Sequence, residues 1–152
     1  MQPPTPEIIP YKRSRFQTRL PVDRLYAPSH FWMREQEPGL WRIGFTRFAT
    51  RMLGDLVEHG FEVKPGDAVK VGQTVGWVEG FKALTDLYCV MDGAFAGGNP
   101  EADAEPALID REPYGRGWLY AVRGTPDANA LPVQKYVELL DVTIDKMQGT
   151  EA

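Results

Sequence analysis

Short strand-like runs dominate the middle of the chain, from residue 26 to residue 123. Examples are GLWRIGF, DAVKVG, TVGWVEG and DLYCVMDGAF, each of them bounded by Gly, Pro or Asp. Runs of this length between turn-forming residues predict strands that are joined by tight turns. A chain of 152 residues is long enough for one domain with its own core. The pattern therefore predicts a mainly β fold, a compact barrel-like sandwich.

One short helix is expected to interrupt the strands, in TRFATRMLGD. Thr46 is suited to cap its N-terminus, and Gly54 is suited to end it. Phe48, Met52 and Leu53 would then lie on one side. The stretch NPEADAEPALIDREPYG predicts a loop with one or two helical turns before Pro113.

The clearest helical pattern lies near the C-terminus, in LPVQKYVELLDVTIDKMQG. Its apolar residues recur with i, i+3, i+4, i+7 spacing and are Val133, Tyr136, Val137, Leu140, Ile144 and Met147. This spacing predicts an amphipathic helix that packs on the domain and ends at Gly149. We predict that the helical region covers residues 125–152 and that the β domain covers residues 25–124.

The first 24 residues differ from the rest because they are rich in proline. The prolines are Pro3, Pro4, Pro6, Pro10 and Pro21. Proline lacks a backbone N–H, so we expect no regular element here, and an extended arm that either wraps the domain or stays mobile. The basic run YKRSR is either a docking site or an ordinary solvated stretch.

Composition excludes several classes of protein. The chain is 43% hydrophobic and 25% charged, which is typical of a soluble globular domain. No apolar run reaches the length of a membrane span, and the N-terminus has no secretory h-region, so a cytoplasmic location is expected. The net charge of −4 argues against general nucleic-acid binding. The two histidines and one cysteine show no metal-ligand spacing, and no catalytic constellation is visible.

One lysine stands inside an otherwise apolar, strand-like stretch, WVEGFKALTDLY. Lys82 falls where a hairpin is expected to turn, and Gly80 would provide the positive φ that a tight turn often needs. A lysine at such a tip keeps an accessible amine, which an acylating enzyme requires. Taken alone, however, an exposed lysine is an ordinary solvated surface residue.

Four stretches occur in the same order as motifs of one known family. They are LYAPSHFW (25–32), similar to Y-x-P-S-H-E-W; WRIGFTRFATRMLGDLV (41–57), similar to V-x-I-G-I-T-x-x-A-x-x-x-L-G-D/E-V-V; VEGFKA (78–83), similar to ESVKA; and PALIDREPYGRGWLYAV (106–122), similar to P-x-L-I/V-N-x-x-P-Y-G-x-G-W. The region that they span, residues 25–122, is about two-thirds of the chain. The chain thus resembles the glycine cleavage system H protein family.

The resemblance implies a lipoyl-type barrel-sandwich hybrid of two antiparallel sheets, with lipoate in amide linkage on Lys82. It implies a carrier that is a substrate of other enzymes and not a catalyst. Glu79, Gly80, Phe81 and Ala83 would form the hairpin that the lipoylating enzyme recognises. Further partners would be lipoamide-using enzymes such as glycine decarboxylase, aminomethyltransferase and dihydrolipoamide dehydrogenase.

The sequence also departs from the family pattern at two positions. Phe31 replaces a glutamate in the family's HEW, and Phe48 stands where the family commonly has histidine. With His30, these residues are expected to line the cleft that shelters the arm. A more apolar cleft would leave a charged amine on the arm without polar partners, which is costly. The alternatives are therefore an H-like carrier of another pathway, such as bacterial sulfur oxidation with its own enzymes, and an unmodified H-like scaffold or binding module.

Two further residues have more than one interpretation. Cys89 is either a small buried hydrophobic residue or a redox partner of the lipoyl sulfurs. His30 is expected to order its turn through hydrogen bonding.

Overall fold

The computed structural model describes residues 7–151. The strands are β1 Ile8–Arg13, β2 Phe16–Pro21, β3 Leu25–Tyr26, β4 Phe31–Glu37, β5 Leu40–Phe45, β6 Leu56–Phe61, β7 Ala68–Val69, β8 Thr74–Gly80, β9 Leu84–Tyr88, β10 Met91–Gly98 and β11 Tyr120–Pro126. The helices are α1 Arg47–Leu53, α2 Pro100–Ala104, α3 Ala107–Arg111 and α4 Val133–Glu151. No helix among the described residues is long and apolar enough to cross a membrane.

Two antiparallel sheets form the body of the molecule, as predicted. The larger sheet has the strand order β3-β4-β5-β11-β10-β7, and the smaller one has the order β6-β8-β9. The smaller sheet carries the lysine hairpin, because β8 pairs directly with β9. A separate two-stranded pair, β1-β2, is added to this body.

The main core lies between the two sheets. Both contribute side chains that are almost fully buried, among them Phe31, Met33, Ile43, Phe95 and Val122 from the larger sheet and Val75, Val78 and Leu87 from the smaller one. Ala102 of α2 and Ile109 of α3 close one part of this cluster. From Gly76 to Gly80 of β8, buried and half-buried positions alternate with the two-residue period of a β-strand. Phe31, Trp32 and Met33 of β4 are all buried, because both faces of this strand are covered.

A second cluster joins the two ends of the chain. It combines residues of β1 and β2, α1 and α4 with single residues of β3 and β4, and its buried members are Tyr11, Phe16, Leu20, Tyr26, Trp32, Phe48, Val133, Tyr136, Leu140 and Ile144. The buried residues of α4 are four of the six that the helical spacing selected, whereas Met147 is 39% exposed. The helix also continues past Gly149 to Glu151, so the prediction that Gly149 ends it is wrong.

The N-terminal segment contains regular structure, so the prediction that its prolines exclude any regular element is wrong for residues 8–21. Pro10 pairs with Arg19 and Pro21 pairs with Ile8 in the β1-β2 hairpin. A two-stranded sheet has open edges on which a missing N–H is tolerated. Ser14, at φ 55°, turns the chain between the strands. The other three prolines lie outside the described residues.

Side-chain contacts attach this hairpin to α4. The Tyr11 hydroxyl donates to an Asp141 carboxylate oxygen at 2.8 Å, and Arg13 forms two hydrogen bonds to Asp145, at 2.8 and 2.9 Å. The Phe16 ring meets the Phe48 ring edge-on, with 5.6 Å between centroids. The two chain ends therefore form one layer against the body of the molecule.

Candidate functional site

Lys82 lies at the tip of the β8-β9 hairpin. The last paired residues before the tip are Glu79 and Leu84, and the backbone N–H of Gly80 donates to the Ala83 carbonyl at 2.8 Å. Lys82 and Ala83 are exposed, and Phe81 is 82% exposed. An enzyme that approaches the tip thus has access to the amine without displacing core residues.

Gly80 has a different role from the one predicted. It is not among the residues with positive φ in the described part of the chain, so the turn does not depend on a left-handed glycine here. A Cβ atom at residue 80 would instead lie 2.3 Å from the carbonyl oxygen of Leu53. Glycine is required because the hairpin backbone passes directly against the end of α1.

The end of α1 holds the lysine hairpin in place. Thr46 caps the start of this helix as predicted, accepting from the Ala49 N–H, and Gly54 ends it with φ 76°. Beyond that point the Lys82 N–H donates to the Leu53 carbonyl at 2.8 Å. Carbonyls in the last turn of a helix have no partner inside the helix, so the hairpin satisfies one of them.

The side chain of Lys82 also contacts the end of α1. Its Nζ donates to the backbone carbonyl of Arg51 at 3.4 Å. A cation is favoured beside the C-terminal end of a helix, where the carbonyls concentrate negative potential. The amine is therefore exposed and also oriented along the end of α1.

A groove opens beside this point, between the N-terminal hairpin, α1 and the last turns of α4. We call it the hairpin–helix groove; its volume is about 590 Å³ and its lining residues are Arg13, Ser14, Arg15, Phe16, Phe48, Arg51, Met52, Ile144, Met147 and Gln148. Met52, expected on the packed side of α1 with Phe48 and Leu53, is 49% exposed and lines the groove. Arg51 thus lines the groove with its side chain and accepts from Lys82 with its carbonyl.

The three residues predicted to line an arm cleft do not share one. Phe31 is 3% exposed in the main core and stacks on Phe45, with 5.1 Å between centroids, so its assignment to a cleft is wrong. Phe48 belongs to the second cluster and lines the hairpin–helix groove. Neighbouring residues of β4 alternate between faces, which places Phe31 on the main-core face and Trp32 in the second cluster.

His30 lies beneath Phe48 and does not line the groove. Its Nδ1 is 2.8 Å from the Tyr136 hydroxyl, which is also 2.8 Å from Thr46 Oγ1. Burial lowers the pKa of His30 to about 4, so the ring is neutral near pH 7. The backbone of His30 adopts φ 71°, and its N–H donates to the Ala27 carbonyl at 2.9 Å within the turn. The His30 side chain bonds to Tyr136 of α4 and not to its own turn. In the sequence, Tyr136 is recognisable only as one apolar position of the helix.

Glu79 points to the other side of the lysine hairpin. It is half-buried on the outer face of the small sheet, beside a shallow depression lined by Glu58, Trp77, Glu79, Leu84, Thr85, Asp86 and Tyr88. Three of these side chains are carboxylates and none is cationic. The hairpin–helix groove, on the other side of Lys82, is lined instead by three arginines and no carboxylate, so the two sides differ in charge.

Cys89 is separated from the lysine tip by burial. It is 1% exposed, and its thiol donates to the Met91 carbonyl at 3.1 Å. Burial raises the pKa of this thiol, which disfavours the reactive thiolate. These features support the small buried hydrophobic residue and oppose a redox partner.

Comparisons with known proteins agree with this geometry. The family model described as glycine cleavage H-protein matches residues 24–141. The chain belongs to this family. Members of the family carry lipoate on a lysine and act as carriers for other enzymes of the glycine cleavage system; they are not catalysts themselves.

Individual H proteins are similar over most of their length. The glycine cleavage system H protein of Opitutus terrae is 38% identical over 116 residues, covering 75% of this chain and 91% of that protein. The one from Bordetella pertussis is 38% identical over 119 residues, covering 78% and 91%. A crystal structure of an H protein from Mycobacterium marinum matches with a TM-score of 0.70 at 34% identity, covering 78% of this chain and 97% of that one. The predicted barrel-sandwich fold is thereby confirmed.

The matched region does not include the whole hairpin–helix groove. The family match begins after the β1-β2 hairpin and ends within α4. Phe48, Arg51 and Met52 lie inside it, whereas residues 13–16 and 144–148 lie outside it. The groove therefore combines an H-protein surface with walls from the two chain ends.

Proposed function

We propose that this H-family protein is a lipoyl carrier whose attachment residue is Lys82 and whose site of action is the cytoplasm. The observation that carries the proposal is the exposed Lys82 amine at the tip of a hairpin whose backbone is bonded to the end of α1. The residues present fit the group. An acylated amine keeps one N–H, so the 3.4 Å contact with the Arg51 carbonyl remains available as an amide hydrogen bond.

When bound, lipoate supplies a dithiolane that undergoes thiol–disulfide exchange. The protein's own residues tether and direct it. The β8-β9 hairpin holds the attachment point, Arg51 orients the first bonds of the arm, and the tether raises the effective concentration of its end near a docked enzyme. Glu79, Phe81 and Ala83 form the hairpin surface that we propose the lipoylating enzyme recognises, and the buried Gly80 lets this hairpin pack against α1.

The first experiment tests attachment. Protein purified from lipoate-replete native cells should carry a lipoyl mass that peptide mapping places on Lys82. Lys82→Arg should remove the mass without changing the melting temperature, because the side chain is exposed. Lys64→Arg, at another exposed lysine, is the matched control and should keep the mass. A native protein without any modification would contradict the carrier and favour an unmodified scaffold or binding module.

A second proposal concerns the pathway. Phe48, packed among aromatic rings in the groove, and His30, neutral and bonded to Tyr136, offer a loaded arm no charged acceptor. An arm that carries a protonated amine would lose about 1.5–3 kcal/mol for each charge-assisted hydrogen bond that it lacks. We therefore propose that the shuttled cargo belongs to a pathway other than glycine cleavage, sulfur metabolism being one candidate, with partner enzymes of that pathway.

The glycine decarboxylase exchange reaction tests this second proposal. Lipoylated protein should support the reaction poorly with glycine decarboxylase, aminomethyltransferase and dihydrolipoamide dehydrogenase, and Phe48→His should improve it. Val142→His, at an exposed residue of α4 that does not line the groove, should not improve it, which makes it the matched control. Rates equal to those of a standard H protein would show that glycine is the cargo.

A further inference from the structure

We infer that the hairpin–helix groove binds the end of the lipoyl arm and selects an arm that carries an anionic group. The inference rests on the proposed attachment at Lys82 and goes further by assigning the charge of the cargo. It follows from the position of the groove, the apolar character of its floor and the charge at its rim.

The groove lies within reach of an arm attached to Lys82. The Lys82 Nζ contacts the carbonyl of Arg51, and the side chains of Arg51 and Met52 line the near end of the groove. One turn of helix separates Arg51 from Phe48 further in, and a turn rises about 5.4 Å. The extended acyl chain of lipoate is longer than this, so its dithiol can reach the groove while the lysine stays on its hairpin.

The floor of the groove suits an aliphatic chain. Phe16, Phe48 and Ile144 form it with almost no exposure of their own, while Met52 and Met147 remain 49% and 39% exposed at its sides. Covering exposed apolar surface is favourable in proportion to its area. Methionine side chains adapt to the shape of a ligand, so the two sides can close on the arm.

The rim is cationic and has no opposing carboxylate among the lining residues. Arg13 is neutralised, because its guanidinium pairs with Asp141 at 3.3 Å and with Asp145 at 2.8 Å. Arg15 and Arg51 are exposed, and no described residue forms a side-chain hydrogen bond or an ion pair with either guanidinium. An anionic group on the arm would form charge-assisted hydrogen bonds with these two residues, and a cationic group would be repelled.

Part of the groove lies outside the family match. Arg15 belongs to the β1-β2 hairpin, which lies outside the family match, and Met147 lies in the part of α4 beyond it. The hairpin is fixed against α4 through Tyr11 and Arg13, so Arg15 is held beside the groove by the fold.

The test uses two probes of nearly equal shape and different charge. Enzymatically lipoylated, reduced protein is alkylated with iodoacetate, which leaves an anionic carboxymethyl group, or with iodoacetamide, which leaves a neutral carbamidomethyl group. Intact mass confirms loading, and peptide mapping confirms that the buried Cys89 is unmodified. The readout is the NMR signal of ¹³C-labelled methionine methyls. Met52 and Met147 report on the groove, and the fully buried Met33 and Met91 are internal references.

The carboxymethyl arm should shift the Met52 and Met147 signals by more than the carbamidomethyl arm does, and high salt should reduce the difference. Arg15→Gln with Arg51→Gln should abolish the difference. Arg19→Gln, an exposed arginine of the same hairpin outside the groove, should leave it unchanged.

Three results would overturn the inference. Equal shifts with both probes would remove the charge selection, and so would a difference that persists in the double arginine variant. The absence of shifts with either probe would remove the binding of the arm itself. Failure of lipoylation, visible in the intact mass before any NMR, would remove the proposed function as well, so the two failures are distinguishable.

Discussion

The two buried clusters of this protein differ in their side-chain composition. The main core, between the sheets, consists mostly of aliphatic side chains. The second cluster, between the chain ends and the larger sheet, has six aromatic residues among its ten buried members. In it, Tyr26 stacks on Tyr136 with 4.7 Å between centroids, and the Trp32 indole N–H donates to the Pro113 carbonyl at 2.8 Å.

The difference shows how the chain ends are fixed to the larger sheet. Aliphatic packing tolerates small adjustments, whereas a buried hydroxyl or indole must reach its partner with correct geometry. The Tyr136 hydroxyl bonds to both His30 and Thr46. Because both bonds form at only one position of α4 along the sheet, they fix where the helix packs. The second cluster therefore fixes the chain ends and, with them, the walls of the hairpin–helix groove.

The largest effect should come from a charge placed in the main core. Phe31→Glu would bury a carboxylate at a position that is 3% exposed and would remove the ring stacked on Phe45. Losing a buried Phe side chain alone costs about 3–5 kcal/mol, and an unpaired buried charge adds to this. We expect a loss of at least about 4 kcal/mol in the free energy of unfolding, or failure to fold, measured by urea denaturation.

Phe81→Glu is the control for this variant, since Phe81 is 82% exposed, and it should change stability by less than about 0.5 kcal/mol. Near-normal stability of Phe31→Glu would place residue 31 at a solvent-lined cleft after all.

In the second cluster, Leu140→Ala should cost about 2–4 kcal/mol in the free energy of unfolding, because Leu140 is fully buried in α4. Circular dichroism can follow the transition. Val142→Ala, at a residue of the same helix that is 53% exposed, should have little effect. Equal stability of the two variants would mean that α4 contributes nothing through this face.

The polar part of the second cluster should make stability depend on pH. His30 has a pKa of about 4 in the folded protein, whereas an unfolded histidine has a pKa of about 6.5, so the unfolded chain binds the proton first. Stability is complete above pH 6.5 and falls as the pH drops towards 4, by up to about 3 kcal/mol. His30→Asn tolerates the positive φ of residue 30 and should flatten the decline between about pH 6.5 and pH 4.5.

Burial also lowers the pKa of His59, so this residue too makes the protein less stable at low pH. His59 is present both in the unmutated protein and in His30→Asn, so its effect cancels when the two are compared. Identical pH dependence with and without His30 would show that its ring is charged, or is solvated, in the folded state.

The smallest effect should come from the shared hydroxyl. Tyr136→Phe leaves His30 and Thr46 without their 2.8 Å partner and should cost about 1–3 kcal/mol in the free energy of unfolding. Tyr120→Phe is the counterpart in the main core, where the hydroxyl donates to the Tyr88 carbonyl at the longer distance of 3.1 Å. We expect a smaller loss there. A larger loss in Tyr120→Phe would contradict the view that polar groups matter more in the second cluster.

Signals from neighbouring residues in the sequence were sufficient to predict several elements of the structure. The capping of α1 by Thr46 and its end at Gly54 depend on neighbouring residues, and so does the hairpin that carries Lys82. The apolar spacing of α4 selected the buried Tyr136 and Leu140. These predictions succeeded because capping, short turns and the helical period are set by residues only a few positions apart.

Other features depended on contacts between distant residues. Gly80 is required by the approach of Leu53, 27 positions earlier, and not by its own φ. The prolines at residues 10 and 21 are accommodated in strands because the β1-β2 pair has open edges and packs on α4. The residues next to Gly80, Pro10 and Pro21 in the sequence give no indication of these long-range contacts.

The sequence by itself determined that this chain has a β domain of the H-protein type, with an accessible lysine at a hairpin tip, because short-range turn chemistry and ordered motifs carry that information. Only the tertiary structure decided which aromatic residues line the hairpin–helix groove. Alternation along β4 places Phe31 and Trp32 on opposite faces, but which face is covered by the second sheet and which by the chain ends is a property of packing. Likewise Arg15, Arg51 and Met147 meet at one groove only because β1-β2 and α4 close over α1.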